Sequence, residues 1–170
     1  GHIGKAPGDI LGFAILPAEL PRRYGRQYLH VFVDTCSSFA FATLHRQRHS
    51  GVGMALFTRV VRPFFDLHGL RLSSIIADSS SMFSVTEQQG IRRGLIMPDG
   101  LREWPSLHGA VERFVTTYHE EHAALPVDES QPQNVAGSLD QWLLYYNYER
   151  HQPGFPNFGA RPFDRVTEAL

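Results

Sequence analysis

The amino-acid sequence predicts an α/β domain built on a mixed sheet, with three antiparallel strands followed by parallel ones and helices flanking them. Three strand-like segments come first, at 9–16, 28–34 and 39–45, and successive strands of this kind are typical of antiparallel pairing. A helical segment and a further apolar run at 70–78 follow, which is the order of a crossover into a parallel strand.

The connections of the first half support this order. Two prolines and a glycine in 17–25 predict an irregular loop, and the polar residues 36–38 predict a tight turn. Apolar residues recur at helical spacing through 50–68, and Gly69 supplies a stop. Pro63 predicts a kink or an early end within that helix.

In the second half of the chain, the sequence patterns that predict helices and strands are less regular. Residues 91–97 read as a short strand before a turn at 98–100. Pro105 suits a helix start, and the apolar stripe that follows predicts a helix ended by Pro126.

The C-terminal part is predicted as a polar linker, a helix and a tail. The linker covers 128–137, and the helix begins at Ser138, where Gln141 would complete a capping box. After Gly154 we expect extended chain packed on the domain.

Composition bounds the class of protein. With 170 residues, 42% of them hydrophobic, one core and a single domain over 7–170 are expected, with 1–6 as linker residues. The single cysteine, Cys36, excludes an intramolecular disulfide and a cysteine-rich zinc module. No apolar run is long enough for a membrane helix and no leader pattern is present, so we expect a cytoplasmic protein with no membrane partner.

The formal net charge of −1 argues against nucleic-acid binding, which depends on Lys and Arg neutralising phosphates. Local arginine clusters could still form basic patches, or could simply solubilise turns. They are Arg22, Arg23 and Arg26; Arg46 and Arg48; and Arg92 and Arg93.

Five segments carry a more specific pattern. Asp78 ends an apolar run in I-I-A-D-S-S-S-M-F (75–83), and Glu112 follows 112 − 78 = 34 positions later in G-A-V-E-R-F (109–114). Ala14 closes G-D-I-L-G-F-A (8–14) in the first strand. The other two segments are V-D-T-C-S-S-F-A-F-A (33–42) and W-L-L-Y-Y-N-Y-E-R-H-Q (142–152).

In their order along the chain, over about residues 7–165, these segments resemble the catalytic core of retroviral-type integrases and of bacterial insertion-sequence transposases. The family phrases are T-D-N-G-S-E-F, G-K-V-E-R-F-N, I-D-x-x-S-R-F-A-x-A and W-L-x-x-Y-N-x-x-R-P-H-Q. In bacterial relatives the first strand is similar to G-D-L-V-Q-I-D, so Ala14 stands where the first Asp belongs. The resemblance implies a ribonuclease-H-like fold with a mixed five-stranded sheet.

The resemblance also implies a chemistry. Such cores hold two Mg²⁺ or Mn²⁺ ions about 3.5–4 Å apart with two Asp and one Glu, for polynucleotidyl transfer on DNA. Asp78 and Glu112 would be the catalytic metal ligands here, and Ala14 would leave one metal without its principal carboxylate. We therefore expect metal binding that is weak or absent, an enzyme that is inactive as written, and a homodimer acting on DNA within a larger recombinase.

Other departures point the same way. The family's N-G after the second Asp is replaced by Ser79-Ser80, and its Glu by Met82. The helix has Ala110 and Val115 in place of the family's Lys and Asn, side chains that the resemblance assigns to DNA contact.

Substitute ligands are excluded by the alternation of side chains along a strand. Asp34 ends the neighbouring strand, but its partner lies an odd number of residues from Ala14 and so faces the other way. Asp9 precedes Ala14 by five residues, again an odd offset, at roughly 16 Å in an extended strand.

Several other candidates have structural explanations. His119 and His122 lack the spacing of a zinc-protease helix and suit a solvated helix face. Cys36 has no evident orienting acid and suits a buried small residue. The aromatic residues of the last helix could stack on bases, but their helical spacing favours core packing: Trp142, Tyr145, Tyr146 and Tyr148.

Three interpretations remain open from the sequence. One is an integrase or transposase core impaired at its metal site, which retains DNA binding or dimerisation. The second is a non-catalytic interaction or regulatory domain that keeps the fold, which the near-neutral charge favours. The third is that Ala14 was introduced to trap an inactive form.

Overall fold

The computed structural model describes residues 3–81, 83–94, 100–122 and 135–168. Its sheet has five strands in the order β3-β2-β1-β4-β5, with β1 at the centre. The pairs β1–β2 and β2–β3 are antiparallel, whereas β1–β4 and β4–β5 are parallel, so the predicted mixed sheet is confirmed. The strands are β1 (Ile10–Pro17), β2 (Tyr28–Asp34), β3 (Ala40–His45), β4 (Ser74–Asp78) and β5 (Leu101–Trp104).

Helices cover both faces of this sheet. They are α1 (Ser50–Leu56), α2 (Arg62–Leu67), α3 (Val85–Gly94), α4 (Gly109–Glu121), α5 (Val135–Tyr148) and α6 (Pro162–Thr167). One face buries an aromatic-rich cluster under α1, α2, α3 and α6, with Phe13 and Phe32 at its centre. The other face buries Ala14 and Val31 under α4 and α5. Alternate residues of β1 therefore belong to different cores, as expected for a strand covered on both sides.

The helical segment between β3 and β4 continues through Pro63. Residues Phe57–Val61 form a π-helical turn, in which the Arg62 N–H donates to the Phe57 carbonyl, five residues back. Proline has no N–H to donate, and its ring clashes with the carbonyl four residues earlier. The wider turn accommodates this clash without ending the helix, and Gly69 then stops it at φ 66°.

Two predictions for the elements between β4 and α5 are wrong. Residues 91–94 belong to α3, and the short strand lies instead at Leu101–Trp104. Helix α4 begins at Gly109 rather than at Pro105, because Pro105 directly follows β5 and the His108 ring accepts the Ala110 N–H (3.1 Å).

Helix α5 begins at Val135, so Ser138 lies inside the helix and is not its N-cap. Its hydroxyl is 3.2 Å from His122 Nε2, and this contact replaces the expected capping box. The tail is only partly extended, because 162–167 form α6. Pro126 and most of the predicted linker lie outside the described residues.

Two asparagines fasten the C-terminal part to the sheet. The buried Asn147 amide accepts from the Ala40 N–H (2.9 Å) and donates to the Ala40 carbonyl (2.8 Å), so α5 occupies part of the free edge of β3. Asn157 accepts from the Ser38 hydroxyl (2.7 Å) and donates to the Ser37 carbonyl (2.8 Å) in the β2–β3 turn.

Candidate functional site

Ala14 and Asp78 lie side by side on the two central parallel strands. The last registered pair of β1 and β4 is Phe13 with Ala77, and Ala14 and Asp78 are the next residues of each strand. Phe13 and Ala77 belong to the aromatic-rich core, whereas Ala14 belongs to the core on the other face, together with Val111 of α4. Since side chains alternate, Asp78 is directed to the same face as Ala14.

Only one of the two Asp78 carboxylate oxygens has a hydrogen-bond partner among the described residues. Oδ2 accepts a hydrogen bond from the Ser80 hydroxyl (3.0 Å). Oδ1 is buried and has no hydrogen-bond partner in the part of the chain that the structure describes. A buried carboxylate oxygen without a partner is costly, and a bound water or cation would offset that cost.

Glu112 lies on the same face of the sheet, in the first turn of α4. Val111 beside it packs against Gly12 of β1 so closely that a Cβ built at Gly12 would be 2.7 Å from Val111 Cγ2. The Glu112 side chain is exposed and borders a groove of about 470 Å³ that Arg113, Thr116 and Arg150 also line. Gly12 thus sets how closely the start of α4 approaches the strand that carries Ala14.

The described residues do not assemble a full metal cluster. Within 3–81, 83–94, 100–122 and 135–168, no group of three or more His, Cys, Asp or Glu side chains is placed to hold an ion. The methyl group of Ala14, fully buried under α4, occupies the position between Asp78 and β2. Asp78 and Glu112 both lie on this face, but neither Ala14 nor Asp78 lines the groove that Glu112 borders.

Neither substitute acid faces the site, as the alternation of side chains predicts. Asp34 pairs with Leu11 and is fully buried, where it accepts from the Gly8 N–H (2.9 Å) and from the backbone N–H and hydroxyl of Ser37. Burial raises the pKa of Asp34 to about 6. Asp9 precedes β1 and accepts the backbone N–H groups of Lys5 and Ala6.

Arg48 is a site residue that sequence reasoning placed only in a basic cluster. Its guanidinium donates to the Ile15 carbonyl and to the Ser80 carbonyl (both 3.1 Å) and lies 5.6 Å from the centre of the Tyr28 ring. Ser81 adds a bond, because its hydroxyl accepts the Ile15 N–H (3.0 Å). These contacts fasten the turn after Asp78 to the end of β1, and no sequence pattern indicated them.

The remaining sequence candidates have structural roles. His122 is buried against the Tyr118 ring, with ring centres 5.2 Å apart, and burial lowers its pKa, so the predicted solvated face is wrong for this residue. Burial raises the pKa of the Cys36 thiol to about 11, which makes it a poor nucleophile. Trp142 and Tyr146 are buried in the core as predicted, whereas Tyr145 is exposed.

Comparison with solved structures finds retroviral integrase catalytic cores. The catalytic core domain of HTLV-2 integrase in complex with magnesium (trimeric form) is 19% identical, with a TM-score of 0.63 over 96% of this chain and 99% of that one. Its dimeric form is 17% identical, with a TM-score of 0.63 over the same shares. A simian T-cell lymphotropic virus intasome, in complex with PP2A regulatory subunit B56 gamma, contains a chain that is 20% identical, with a TM-score of 0.64. The match to that chain covers 98% of this chain and 57% of that chain.

These matches confirm the predicted ribonuclease-H-like fold of the integrase-core type, since strand order and directions agree with it. Comparison with family models and with curated proteins finds no match by sequence. Among the described residues, no helix is both long and apolar enough to cross a bilayer.

Proposed function

We propose that this chain is the catalytic-core domain of a DNA integration or transposition protein, with a metal site that has lost one ligand. The observation that carries the proposal is the position of Ala14 and Asp78, each one residue beyond the last registered pair of two adjacent parallel strands, on the face covered by the helix that bears Glu112. In a metal-dependent polynucleotidyl transferase, carboxylates converge at such a point.

The residues present fit one divalent cation better than two. Asp78 and Glu112 are the ligands we propose, and the partner-free Oδ1 of Asp78 supports this choice. When bound, Mg²⁺ or Mn²⁺ would activate an attacking oxygen and stabilise a leaving one. Two cations a few ångströms apart repel each other, and an aspartate at position 14 would offset that repulsion. With alanine there, we expect weak binding of a single ion and little or no nuclease or strand-transfer activity.

The test is calorimetric titration of Mn²⁺ into the chain and into its Ala14→Asp variant, beside a DNA-nicking assay. We expect Ala14→Asp to strengthen Mn²⁺ binding, and Ala14→Asn, of matched size without the charge, to leave it weak. Adding Asp78→Asn to Ala14→Asp should abolish the gain. Tight two-site binding and efficient nicking by the unmodified chain would refute the impaired site.

A second function is favoured by a specific observation, the net charge of −1. In this second function, the chain is an interaction or regulatory domain that keeps the fold without contacting DNA. One experiment distinguishes the two functions. An integration domain should bind a DNA duplex with an affinity that falls steeply as the salt concentration rises, whereas an interaction or regulatory domain should not bind the duplex.

We also propose that the chain forms a homodimer and acts beside further domains of a longer recombinase. Leu144 and Tyr145 of α5 are 61% and 44% exposed, and neighbouring exposed apolar side chains can mark an interface. The HTLV-2 core is described in dimeric and trimeric forms. An interface of at least about 1,000 Å² is expected. Sedimentation that shows only monomer at high micromolar concentration would contradict the dimer.

A further inference from the structure

We propose that a cleft beside the end of β3 binds a phosphate group. The cleft is open, has a volume of about 630 Å³, and lies between Thr43, the loop 45–49 and the helical segment that includes Arg59. Its polar lining consists of a hydroxyl, an amide, two imidazoles and a guanidinium, from Thr43, Gln47, His45, His49 and Arg59. All of these groups can donate hydrogen bonds, and a phosphate accepts them.

Each of the two imidazoles has Nδ1 hydrogen-bonded to the backbone and Nε2 without a hydrogen-bond partner among the described residues. The Gln47 N–H donates to His45 Nδ1 (3.0 Å), and the Gly51 N–H donates to His49 Nδ1 (3.0 Å). Because Nδ1 is the acceptor in both rings, the proton of each neutral ring lies on Nε2. Each ring therefore keeps one N–H for a ligand in the cleft that both rings line.

The charge of the cleft favours an anion. No carboxylate lines it, and Arg59 is exposed with no ion pair or hydrogen bond among the described residues. Glu87 is the acid near His49; its carboxylate accepts from the Ser50 hydroxyl (2.5 Å) and the Ser84 N–H (3.1 Å), and it does not line the cleft. The guanidinium therefore remains available to a ligand of negative charge.

The loop that supplies the donors is rigidly held. Burial lowers the pKa of His30 to about 4, so its ring is neutral at pH 7, and Nε2 lies 3.0 Å from the Gln47 carbonyl. Arg48 fastens the same loop to Ile15 and Ser80. A binding loop that is fixed before the ligand arrives loses less entropy on binding.

The position of the cleft suits two sources of phosphate. Strands β1, β3 and β4 run in the same direction, so His45 at the end of β3 lies at the same edge of the sheet as Asp78. The β3 strand lies three strand spacings from β4, roughly 14 Å. The ligand is therefore either a nucleic-acid backbone that extends along this edge or a free phosphorylated small molecule. The proposal does not depend on the metal site, and failure of Ala14→Asp to bind Mn²⁺ leaves it unchanged.

The experiment is an NMR titration of the isotope-labelled chain at pH 7. One arm adds inorganic phosphate, and the other adds a single-stranded deoxyoligonucleotide without terminal phosphates. We expect saturable shifts of the Gln47, Gly51 and Val52 amides. Arg59→Gln should weaken binding by about fivefold or more, as expected for loss of a charge-assisted contact. Arg62→Gln is the control, since Arg62 is exposed one turn further on and pairs with Asp66 outside the cleft.

Each outcome decides the question. Saturation with inorganic phosphate identifies a site for free phosphate, and saturation with the oligonucleotide alone identifies a site for the nucleic-acid backbone. Both support the proposal if only Arg59→Gln weakens the binding. The proposal is refuted if neither probe gives saturable shifts at these amides, or if Arg59→Gln and Arg62→Gln weaken binding equally.

Discussion

The contact between β1 and α4 can be tested by adding one methyl group at Gly12. The backbone at Gly12 does not have positive φ, so alanine is allowed there by the chain conformation. The new Cβ would lie 2.7 Å from Val111 Cγ2 and 3.6 Å from His108 Cβ. Contacts under 3.0 Å are essentially never found and ordinary contacts begin at 3.4 Å, so Val111 or the whole start of α4 must move by 3.0 − 2.7 = 0.3 Å to 3.4 − 2.7 = 0.7 Å.

The expected cost follows from two opposing effects. Overpacking of a core costs about 1–3 kcal/mol. Replacing glycine lowers the entropy of the unfolded chain, which stabilises by about 0.4–1 kcal/mol. We expect Gly12→Ala to reduce the free energy of unfolding by about 1–2 kcal/mol, and to displace Glu112 because it follows Val111 on the same turn.

A double-mutant cycle measured by urea unfolding separates this contact from a general effect. Val111→Ala removes Cγ2, so Gly12→Ala in that background should be neutral or stabilising. The coupling energy between the two positions should be about 1–3 kcal/mol. The reasoning is refuted if Gly12→Ala costs the same with valine and with alanine at 111, because the clash would then not involve this side chain.

Two further predictions concern other buried polar groups. Asn147→Ala should reduce the free energy of unfolding by about 2–4 kcal/mol, since it leaves the Ala40 N–H and carbonyl without partners. Gln141→Ala, which truncates an exposed amide on the same helix, is the control, and equal losses in urea unfolding would contradict the role of the Asn147 amide. As the pH falls from about 6.5 to 4, the free energy of unfolding decreases, because His30 takes up a proton in the unfolded chain before it does so in the folded protein. Asp34 has the opposite effect below about pH 6, because its raised pKa lets the folded protein take up a proton first. Asp34→Asn should therefore steepen the loss of stability between pH 6 and pH 4.5, and an unchanged slope would contradict the assignment.

Local pattern predicted a large part of the sheet correctly. Alternating apolar residues placed β2 at 28–34, and the order of strands and helix predicted the change from antiparallel to parallel pairing. The odd offset between Asp34 and Ala14 predicted opposite faces because the side-chain period of a strand is two. The register of β1 with β2 confirms it.

Prediction was weaker at helix starts, where a single side-chain contact decides the structure. Helix α4 begins at Gly109 because the His108 ring caps it and β5 extends to Trp104. Ser138 has the sequence signature of an N-cap, yet it lies inside α5 and contacts His122. In both cases the deciding partner is distant in sequence or outside the usual set of capping residues.

The sequence by itself determined the mixed sheet, the resemblance to integrase cores and the absence of an aspartate at position 14, because periodicity and residue identity are local properties. Only the tertiary structure decided that Ala14 and Asp78 are neighbours on one face, that Asp78 Oδ1 has no partner among the described residues, and that Arg48 joins the ends of β1 and β4. The tertiary structure alone also decided that His45, His49 and Arg59 line one cleft. Such features arise from strand register and from contacts between segments far apart in the chain, where the geometry is set by the packing of the whole domain.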